Sequence, residues 1–300
     1  MGVKGLYSYL KHYRNDIDPC DYFPQRIGVD AMSLLYRFKG NTDELFTLLK
    51  GLKTVGHTLF FVFDGKPPAE KEREIQARKD SKVEAATQAE SIQAFLATEE
   101  AATMDKASRD HLELTLQRCQ LQSWHMTRET RREFQARLWD MGIPYVKALT
   151  EADDVLTDLS VAGKLDVVLS TDMDYLLGGV SKLWIPTKKA TFHFEELRTA
   201  EILEGERLTQ QGLIDAGLLC GTEERSGAKG VPCQVAFVWM SHYGGLEALL
   251  ESNVRDQTVR QMFPGRDAIY AARETVRPHP PFSRMRPDHF ERVKDFLTSL

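Results

Sequence analysis

Four short apolar runs along this 300-residue chain are each followed by an acidic residue. The runs are 26–29, 58–63, 143–146 and 167–170, and the acidic residues that follow them are Asp30, Asp64, Glu151 and Asp172. Short continuous apolar runs are typical of the buried strands of a parallel sheet. Because amphipathic stretches alternate with them over 1–78 and 141–197, the pattern predicts α/β units with carboxylates after the strands.

The rest of the chain has a different pattern. Residues 79–126 contain no convincing strand, and their apolar spacing predicts an inserted pair of helices with a break near 98–103. A β-hairpin follows later, and the chain becomes helical from about Leu208. The two hairpin strands are expected at 182–186 and 191–194. The two C-terminal helices are expected at 209–220 and 232–251, with a turn at 221–231 between them.

Composition is that of an ordinary globular protein, with 42% hydrophobic and 28% charged residues. No apolar run approaches the roughly 20 residues of a membrane span. Basic residues near the N-terminus exclude a signal peptide, and Leu6 excludes a myristoylation signal. The four cysteines form no Cys-x-x-Cys pair, so we expect a reduced intracellular protein without zinc. The net charge of −5 is unusual for a nucleic-acid binder, although a local basic face matters more than the total.

The acidic residues after the strands predict one metal site. In an open α/β sheet, ligands gather at the carboxyl ends of the strands, and hard divalent cations prefer oxygen donors. The carboxylates of such a cluster would repel one another if no cations were bound. The cluster therefore indicates phosphodiester chemistry on metal ions. Taken singly, such residues also serve as turn residues or helix N-caps, and Thr150 is a good N-cap for the acids that follow it. The expected cluster contains Asp30, Asp64, Glu151, Asp153, Asp154, Asp172 and Asp174.

Several strings carry a family resemblance. They are Met1-Gly-Val-Lys-Gly-Leu6, Gly28-Val-Asp-Ala-Met-Ser-Leu-Leu-Tyr36, Phe61-Val-Phe-Asp-Gly-Lys-Pro-Pro68, Gly142-Ile-Pro-Tyr145, Thr150-Glu-Ala-Asp153 and Ser170-Thr-Asp-Met-Asp174. In this order, and together with Lys71 and Arg78, they resemble the flap endonuclease family of structure-specific 5′ nucleases, the XPG-like group. The resemblance covers roughly 1–78 and 125–250.

This resemblance implies an α/β fold with a PIN-like nuclease core over 1–206, in which helices flank a central, mainly parallel sheet. It identifies the insertion at about 79–126 as a helical arch through which a single-stranded 5′ end passes. It also implies a helical DNA-binding region over 207–300, packed on the core. Within that region, a helix–two-turn–helix element at about 209–251 would grip duplex DNA.

The resemblance further implies two Mg²⁺ or Mn²⁺ ions per active site. Their ligands would be Asp30, Asp64, Glu151, Asp153, Asp172 and Asp174. Lys71 and Arg78 lie seven residues apart, so both would project from one side of a helix starting near Pro68 toward the scissile phosphate. The alternative for this pair is a solvated face. Tyr36 matches a tyrosine on which a base stacks, with a core aromatic as its alternative, and Gly2 matches a buried glycine near the DNA.

Three departures limit the resemblance. Glu223 stands where the family has a seventh, aspartate ligand. Gly230-Val-Pro232 replaces a Gly-Ile-Gly-type turn that binds a monovalent cation, and proline lacks an N–H donor, so we expect Lys229 to contact DNA phosphate instead. The arch is unusually acidic. Some positive charge returns at its exit, where the expected DNA-binding residues are Arg128, Arg131 and Arg132.

Together these features favour a divalent-metal-dependent flap endonuclease or 5′→3′ exonuclease. Its expected partner is DNA with 5′ flaps, nicks, gaps or free 5′ ends, in replication, repair or recombination. A DNA-junction-binding protein with decayed catalysis and a PIN-type ribonuclease are the alternatives. The chain has no Gln-x-x-Leu-x-x-Phe-Phe sliding-clamp motif, so protein partners stay open. The expected location is intracellular, in a nucleus or at a viral replication site.

Overall fold

The computed structural model describes residues 2–39, 41–67, 71–187, 192–222, 226–252, 257–276, 278–280 and 282–299. Its strands are β1 Asn15–Ile17, β2 Arg26–Asp30, β3 Thr58–Phe63, β4 Tyr145–Lys147, β5 Val167–Leu169, β6 Lys182–Pro186 and β7 Phe194–Arg198. They form one sheet in the order β1-β7-β6-β5-β2-β3-β4. The neighbours from β6 to β4 are parallel, whereas β7 and β1 extend one edge in antiparallel pairs. The prediction of a mainly parallel sheet is confirmed.

Helices flank this sheet and fill the regions between its strands. The α-helices of the described residues are α1 Leu6–Tyr9, α2 Ala31–Phe38, α3 Thr42–Thr54, α4 Glu72–Leu96, α5 Glu99–Ala102, α6 Lys106–Ser123, α7 Arg128–Asp140, α8 Ala152–Val161, α9 Asp174–Leu177, α10 Thr199–Glu206, α11 Gln210–Cys220, α12 Cys233–Tyr243, α13 Leu246–Glu251, α14 Gln257–Met262, α15 Arg266–Glu274 and α16 Pro287–Ser299. Across the described ranges, none of these helices has the length and apolar character that a membrane span needs.

The central strands carry apolar side chains on both faces because helices cover both faces of the sheet. Along β3, Leu59, Phe61 and Phe63 belong to a core shared with α2, α3 and α7. Phe60 and Val62 point to the opposite layer, which contains α8, α9, α11, α12, α15 and α16. All five side chains are at most 3% exposed, and burying each contributes about 1.5–3 kcal/mol. The helices that follow residue 207 therefore share a core with the sheet.

The insertion between β3 and β4 is a helical hairpin. Its long helices, α4 and α6, pack against each other, and the short α5 occupies the predicted break. The break has a local cause, since Thr98 accepts a hydrogen bond from Ala101 N and Asp105 accepts one from Ser108 N, so each side chain caps a new helix. The expected helix start near Pro68 lies outside the described residues, and α4 begins at Glu72.

Sequence patterns misplace two strand starts. The strand predicted to begin at Ile143 begins at Tyr145, after a turn at Gly142 with φ of +63°. The second hairpin strand, predicted over 191–194, begins at Phe194 and runs to Arg198, and residue 191 lies outside the described residues. The acidic residues in this strand conceal its apolar pattern in the sequence. One of them, Glu196, is nevertheless buried and accepts a hydrogen bond of 2.8 Å from Trp184 Nε1 in β6.

The expected helix at 232–251 is two helices. Gly244 adopts a left-handed conformation with φ of +81° and donates its N–H to Met240 O, which ends α12. The expectation of reduced cysteines is wrong for one pair. Cys220 and Cys233 lie at the facing ends of α11 and α12, with Cα atoms 5.1 Å apart, and form a disulfide. Packing of the two helices brings these cysteines together across 13 residues of sequence.

Candidate active site

The predicted carboxylates meet at the carboxyl edge of the sheet. Strands β5, β2, β3 and β4 are adjacent, and each ends at the same edge because they are parallel. Asp30 is the last residue of β2, Asp64 follows β3, and Asp172 lies shortly after β5. Glu151 follows β4 after a three-residue loop and is the N-cap residue of α8. The site is therefore built by topology rather than by one local motif.

Asp30 is held from two directions. Its Oδ1 accepts the N–H of Ser33 at 2.9 Å, at the start of α2, and its Oδ2 accepts the hydroxyl of Ser170 at 3.0 Å. The hydroxyl of Tyr175 also donates to Oδ2, at 3.3 Å. Burial, and after it the charge of Asp64, raises the pKa of Asp30 to about 7 against the hydrogen bond from Ser33. Asp30 therefore lies in an acidic, desolvated field.

Asp64 joins the β3 end to the β4 end. Its Oδ1 accepts the N–H of Ala152 at 2.9 Å, so a residue outside α8 caps that helix. The next residue, Gly65, donates its N–H to Thr150 O at 2.6 Å. A Cβ at Gly65 would overlap the carbonyl oxygen of Leu149, so only glycine permits this approach of the two loops. This contact places Asp64 beside Glu151.

Glu151 and the first turn of α8 supply the next carboxylates. Glu151 stands at the N-cap position without a capping side-chain hydrogen bond, so the alternative of a simple cap does not describe it. Instead, Lys71 Nζ lies 2.5 Å from Glu151 Oε2. Burial raises the pKa of Asp153 well above its ordinary value, and the charges of Glu151 and Asp154 raise it further while Lys71 opposes them. Lys71 therefore lies beside Glu151, and its contact with a scissile phosphate stays a prediction.

Asp172, Asp174 and Gly2 close the other side of the site. Asp172 Oδ1 accepts the N–H of Asp174 at 3.0 Å, and its own N–H donates to Ser170 Oγ at 3.2 Å. Gly2 has φ of +92°, and a Cβ there would overlap Asp172 Oδ1 and lie 2.9 Å from Asp174 Oδ1. The N-terminal glycine thus contacts the carboxylates directly, which defines its place more closely than the sequence did.

Tyr36 lies between the two ends of the helical hairpin. Lys82 Nζ, on α4, sits 4.4 Å from the centre of the Tyr36 ring and 3.2 Å from its hydroxyl oxygen. Trp124, which follows α6, contacts the same ring edge-on with centroids 5.1 Å apart. The tyrosine is half-buried rather than in the core. Sequence reasoning missed both partners, although a lone tryptophan in a polar stretch was a signal.

The other predicted residues lie around this centre. Arg78 is exposed on α4, and Lys229 is exposed in the turn before α12. Arg128, Arg131 and Arg132 follow the hairpin on the first turns of α7. Glu223 lies outside the described residues.

Arg284 is a residue near the site that sequence reasoning missed. It pairs with Asp154 and has its Nε 3.7 Å from Asp158 Oδ2. Thr150 Oγ1 donates to the other oxygen of Asp154 at 2.8 Å. Asp154 therefore belongs to a network behind Asp153, with no sequence signal to announce it, since Arg284 lies 130 residues away.

The donor set can accept divalent cations. Within the described residues, no group of three acidic, histidine or cysteine side chains converges closely enough to form a finished metal site. Lys71 engages Glu151. The chemistry nevertheless fits hard divalent cations, because all the candidate donors are carboxylate oxygens. The pKa of Asp30 is raised first by burial and then by the charge of Asp64, and a bound cation would offset both effects.

Comparison with known proteins gives the same picture. The family model described as the XPG I-region matches residues 142–223. Flap endonuclease 1 of Candida glabrata is 30% identical over 281 residues, covering 84% of this chain and 68% of the relative. Flap endonuclease 1 of Zea mays is 28% identical, covering 86% of this chain and 71% of the relative.

Solved structures share the fold at low sequence identity. The catalytic core of Rad2 in complex with DNA substrate has a TM-score of 0.65 at 17% identity, covering 99% of this chain and 95% of that one. Flap endonuclease-1 from Methanococcus jannaschii has a TM-score of 0.59 at 19% identity, covering 94% and 90%. The predicted fold class is confirmed. Since a 30% identical relative matches over more than two thirds of both chains, this chain belongs to the flap endonuclease family, in the XPG-like group of structure-specific 5′ nucleases.

Proposed function

We propose that this chain is a divalent-metal-dependent nuclease that hydrolyses DNA phosphodiesters at 5′ flaps, nicks, gaps or free 5′ ends. The observation that carries the proposal is the gathering of carboxylates from four adjacent strands between the two ends of a helical hairpin. The flap endonuclease 1 relatives and the Rad2 core with its DNA substrate support the same activity.

In this proposal the carboxylates hold two Mg²⁺ or Mn²⁺ ions. The ligands are Asp30, Asp64, Glu151, Asp153, Asp172 and Asp174. Such ions supply an activated water and stabilise the leaving oxygen of an in-line displacement. The contribution of the chain is orientation, because Ser33 N–H and Ser170 hold Asp30 while Ala152 N–H holds Asp64. Hydrogen bonds of this kind fix ligand directions before the ions bind.

Lys71 has two partners in the proposed reaction. In the free protein it pairs with Glu151 at 2.5 Å and so offsets part of the negative field. When DNA enters, its scissile phosphate competes for the same ammonium group, and Arg78 on α4 joins from the arch. Cations aimed at charge that develops in the transition state act on the rate more than on affinity. Tyr36 would stack on the base beside the cleaved bond, with Trp124 and Lys82 around it.

The helices after residue 207 would hold the duplex through the turn between α11 and α12. Val231 N–H donates to Ala228 O at 3.0 Å, and Pro232 has no N–H, so neither of these two residues offers a backbone donor to phosphate. The exposed Lys229 would contact phosphate through its side chain instead. Division of the chain into a nuclease core at 1–206 and a DNA-binding region at 207–300 is part of the proposal.

One set of substrates tests this function. Purified protein is incubated with labelled flap, nicked, gapped and blunt DNA, and with RNA of the same sequences, in Mg²⁺, Ca²⁺ or chelator. We expect cleavage of the 5′ DNA structures in Mg²⁺ only, since calcium prefers more ligands in looser geometry. Binding without cleavage would instead indicate a junction-binding protein, and preferential cleavage of RNA a ribonuclease. Robust cleavage in chelator would remove the metal mechanism.

A further inference from the structure

A cavity of about 400 Å³ lies at the β4 edge of the sheet, beside the carboxylates. Its walls come from the start of α7, the ends of β3 and β4, and the start of α16. The cationic and titratable residues that line it are Arg128, Arg131, Arg132, Lys147 and His289. No carboxylate is among its described lining residues. In a chain of net charge −5, so many positive groups around one hollow form a local basic centre.

The fold holds these groups in place. Phe134 anchors α7, because its ring packs on those of Phe61 and Phe63 with centroids 5.8 and 6.2 Å apart. Lys147 N–H donates to His289 Nδ1 at 3.1 Å, which ties α16 to the end of β4. Because Nδ1 accepts this bond, the neutral imidazole carries its proton on Nε2, which lies 3.9 Å from Asp288 Oδ2. The cavity is therefore built by four separate elements, which are α7, β3, β4 and α16.

The arginines have donors to spare for a ligand. In the described parts of the chain, neither Arg128, Arg131 or Arg132 nor Lys147 forms an ion pair with a carboxylate. Arg131 donates only weakly, to the sulfur of Met32 at 3.6 Å. Like charges gathered without counter-ions attract an anion, and guanidinium groups match the geometry of phosphate oxygens. Phe63 is fully buried, so the described walls offer no exposed ring for base stacking.

The cavity adjoins the proposed catalytic centre. Phe63 immediately precedes Asp64, and Met32, which Arg131 contacts, lies two residues after Asp30. We propose that this cavity binds a phosphate group of the DNA strand that the nuclease cuts, with Lys147 and His289 acting beside the three arginines. The inference rests on the proposed function, because it takes DNA as the substrate. Such a site positions the strand without reading its sequence.

Binding without cleavage tests the site. Affinity for a fluorescent 5′-flap DNA is measured in chelator over a range of salt concentrations, for the wild type, Arg132→Ala and Lys147→Met. Lys50→Ala is the matched control, since Lys50 is exposed on α3 away from the cavity. We expect each cavity variant to bind at least several-fold more weakly and to lose about 0.7–0.9 from the slope of log affinity against log salt, as for one phosphate contact. The control should match the wild type.

The 5′ end of the probe identifies the phosphate. If a terminal monoester occupies the cavity, removing the 5′ phosphate weakens wild-type binding and erases the difference between wild type and variants. If an internal phosphodiester occupies it, the variant effect is the same with a 5′ phosphate or a 5′ hydroxyl. Wild-type affinity and salt slope in both folded variants would overturn the proposal. A protein that fails to cut DNA in Mg²⁺ but shows these binding losses would refute the proposed function and leave the phosphate site standing.

Discussion

The carboxyl edge of the sheet and the helical arch of α4, α5 and α6 are built in opposite ways. At the sheet edge, carboxylates are fixed by hydrogen bonds from neighbouring elements, and burial raises the pKa of Asp30 to about 7. Along the arch, the buried apolar residues among those described are Ala85, Ala89, Ala101 and Cys119. Three of these four are alanines, so the arch contributes little hydrophobic stabilisation to the fold.

The comparison indicates that the carboxylates of the sheet edge serve function rather than stability, whereas the arch contributes little to stability. The sheet edge concentrates like charges in a desolvated place, which destabilises the protein without cations. Substitutions in the arch should change the free energy of unfolding little. The arch contacts the core at Tyr36 through Lys82 and Trp124. We therefore expect changes at the edge to remove activity while sparing the fold. Changes on the exposed faces of the arch should leave the fold untouched.

The largest effect should follow Asp172→Ala. Loss of this carboxylate removes a proposed metal ligand, so cleavage should become undetectable while DNA binding persists. In chelator, the melting temperature should rise, because one of several mutually repelling carboxylates is gone. Cleavage assays and thermal unfolding measure both effects. The control is Asp110→Ala, which removes an exposed carboxylate on α6 and should change neither cleavage nor the melting temperature. Near-wild-type cleavage by Asp172→Ala would refute the site.

Phe134→Ala should reveal the stability side of the comparison. The ring is 1% exposed and packs on Phe46, Phe61 and Phe63, so truncation should cost about 3–5 kcal/mol of unfolding free energy. Leu114→Ala on α6, where the side chain is 54% exposed, should cost less than about 0.5 kcal/mol. Chemical denaturation measures both values. Similar losses would mean that the arch is packed as tightly as the core.

Lys71→Ala should slow single-turnover cleavage about 10²–10³-fold, the usual loss when one group that stabilises transition-state charge is removed. Affinity for DNA should change far less, because the contact with developing charge exists mainly in the transition state. Arg78→Ala should act in the same direction from the exposed side of α4. Equal losses in rate and affinity would make both residues ordinary phosphate contacts.

Sequence alone could predict the sheet edge because its signal is local. Each acid ends its strand or follows it within four residues, and parallel topology then brings the acids together. The arch could be predicted as a hairpin from helical spacing and from the polar break at Thr98. Both predictions need only neighbouring residues. The structure adds distances and partners to them, and it adds the short helix α5 within the break.

The elements that sequence could not predict depend on distant contacts. Strand β7 contains the buried Glu196, whose place is understandable only with Trp184 beside it. The network of Arg284 with Asp154 joins residues 130 positions apart, and the disulfide of Cys220 and Cys233 requires α11 to pack on α12. Polar groups of this kind carry no periodic pattern, because their burial is satisfied by a partner elsewhere in the chain.

A smaller effect at the sheet edge should follow Gly2→Ala. The positive φ of +92° and the overlap of a Cβ with Asp172 Oδ1 should together cost about 1–3 kcal/mol, mostly as weakened metal binding. The Mg²⁺ concentration that gives half-maximal cleavage should rise about tenfold or more, since tenfold corresponds to about 1.4 kcal/mol. Gly163→Ala is the control, because its φ of +70° is also positive but nothing lies within 4 Å of its Cβ position. Equal metal requirements in both variants would contradict the contact.

The smallest effect should be a pH-dependent one at Asp158, behind the proposed metal-ligand carboxylates. Burial raises the pKa of Asp158 to about 7, although Arg284 opposes the shift. The folded protein then favours the protonated carboxyl, so its contribution is complete below the unfolded pKa of about 4 and is lost as pH rises through about 7. In chelator, the stability advantage of Asp158→Asn over the wild type should therefore grow by at least about 1.4 kcal/mol between pH 4 and pH 8, the value of one pKa unit. Denaturation at both pH values measures this difference. If the stability of the wild type instead rises relative to that of the variant as pH increases, the ion pair with Arg284 outweighs the burial of Asp158.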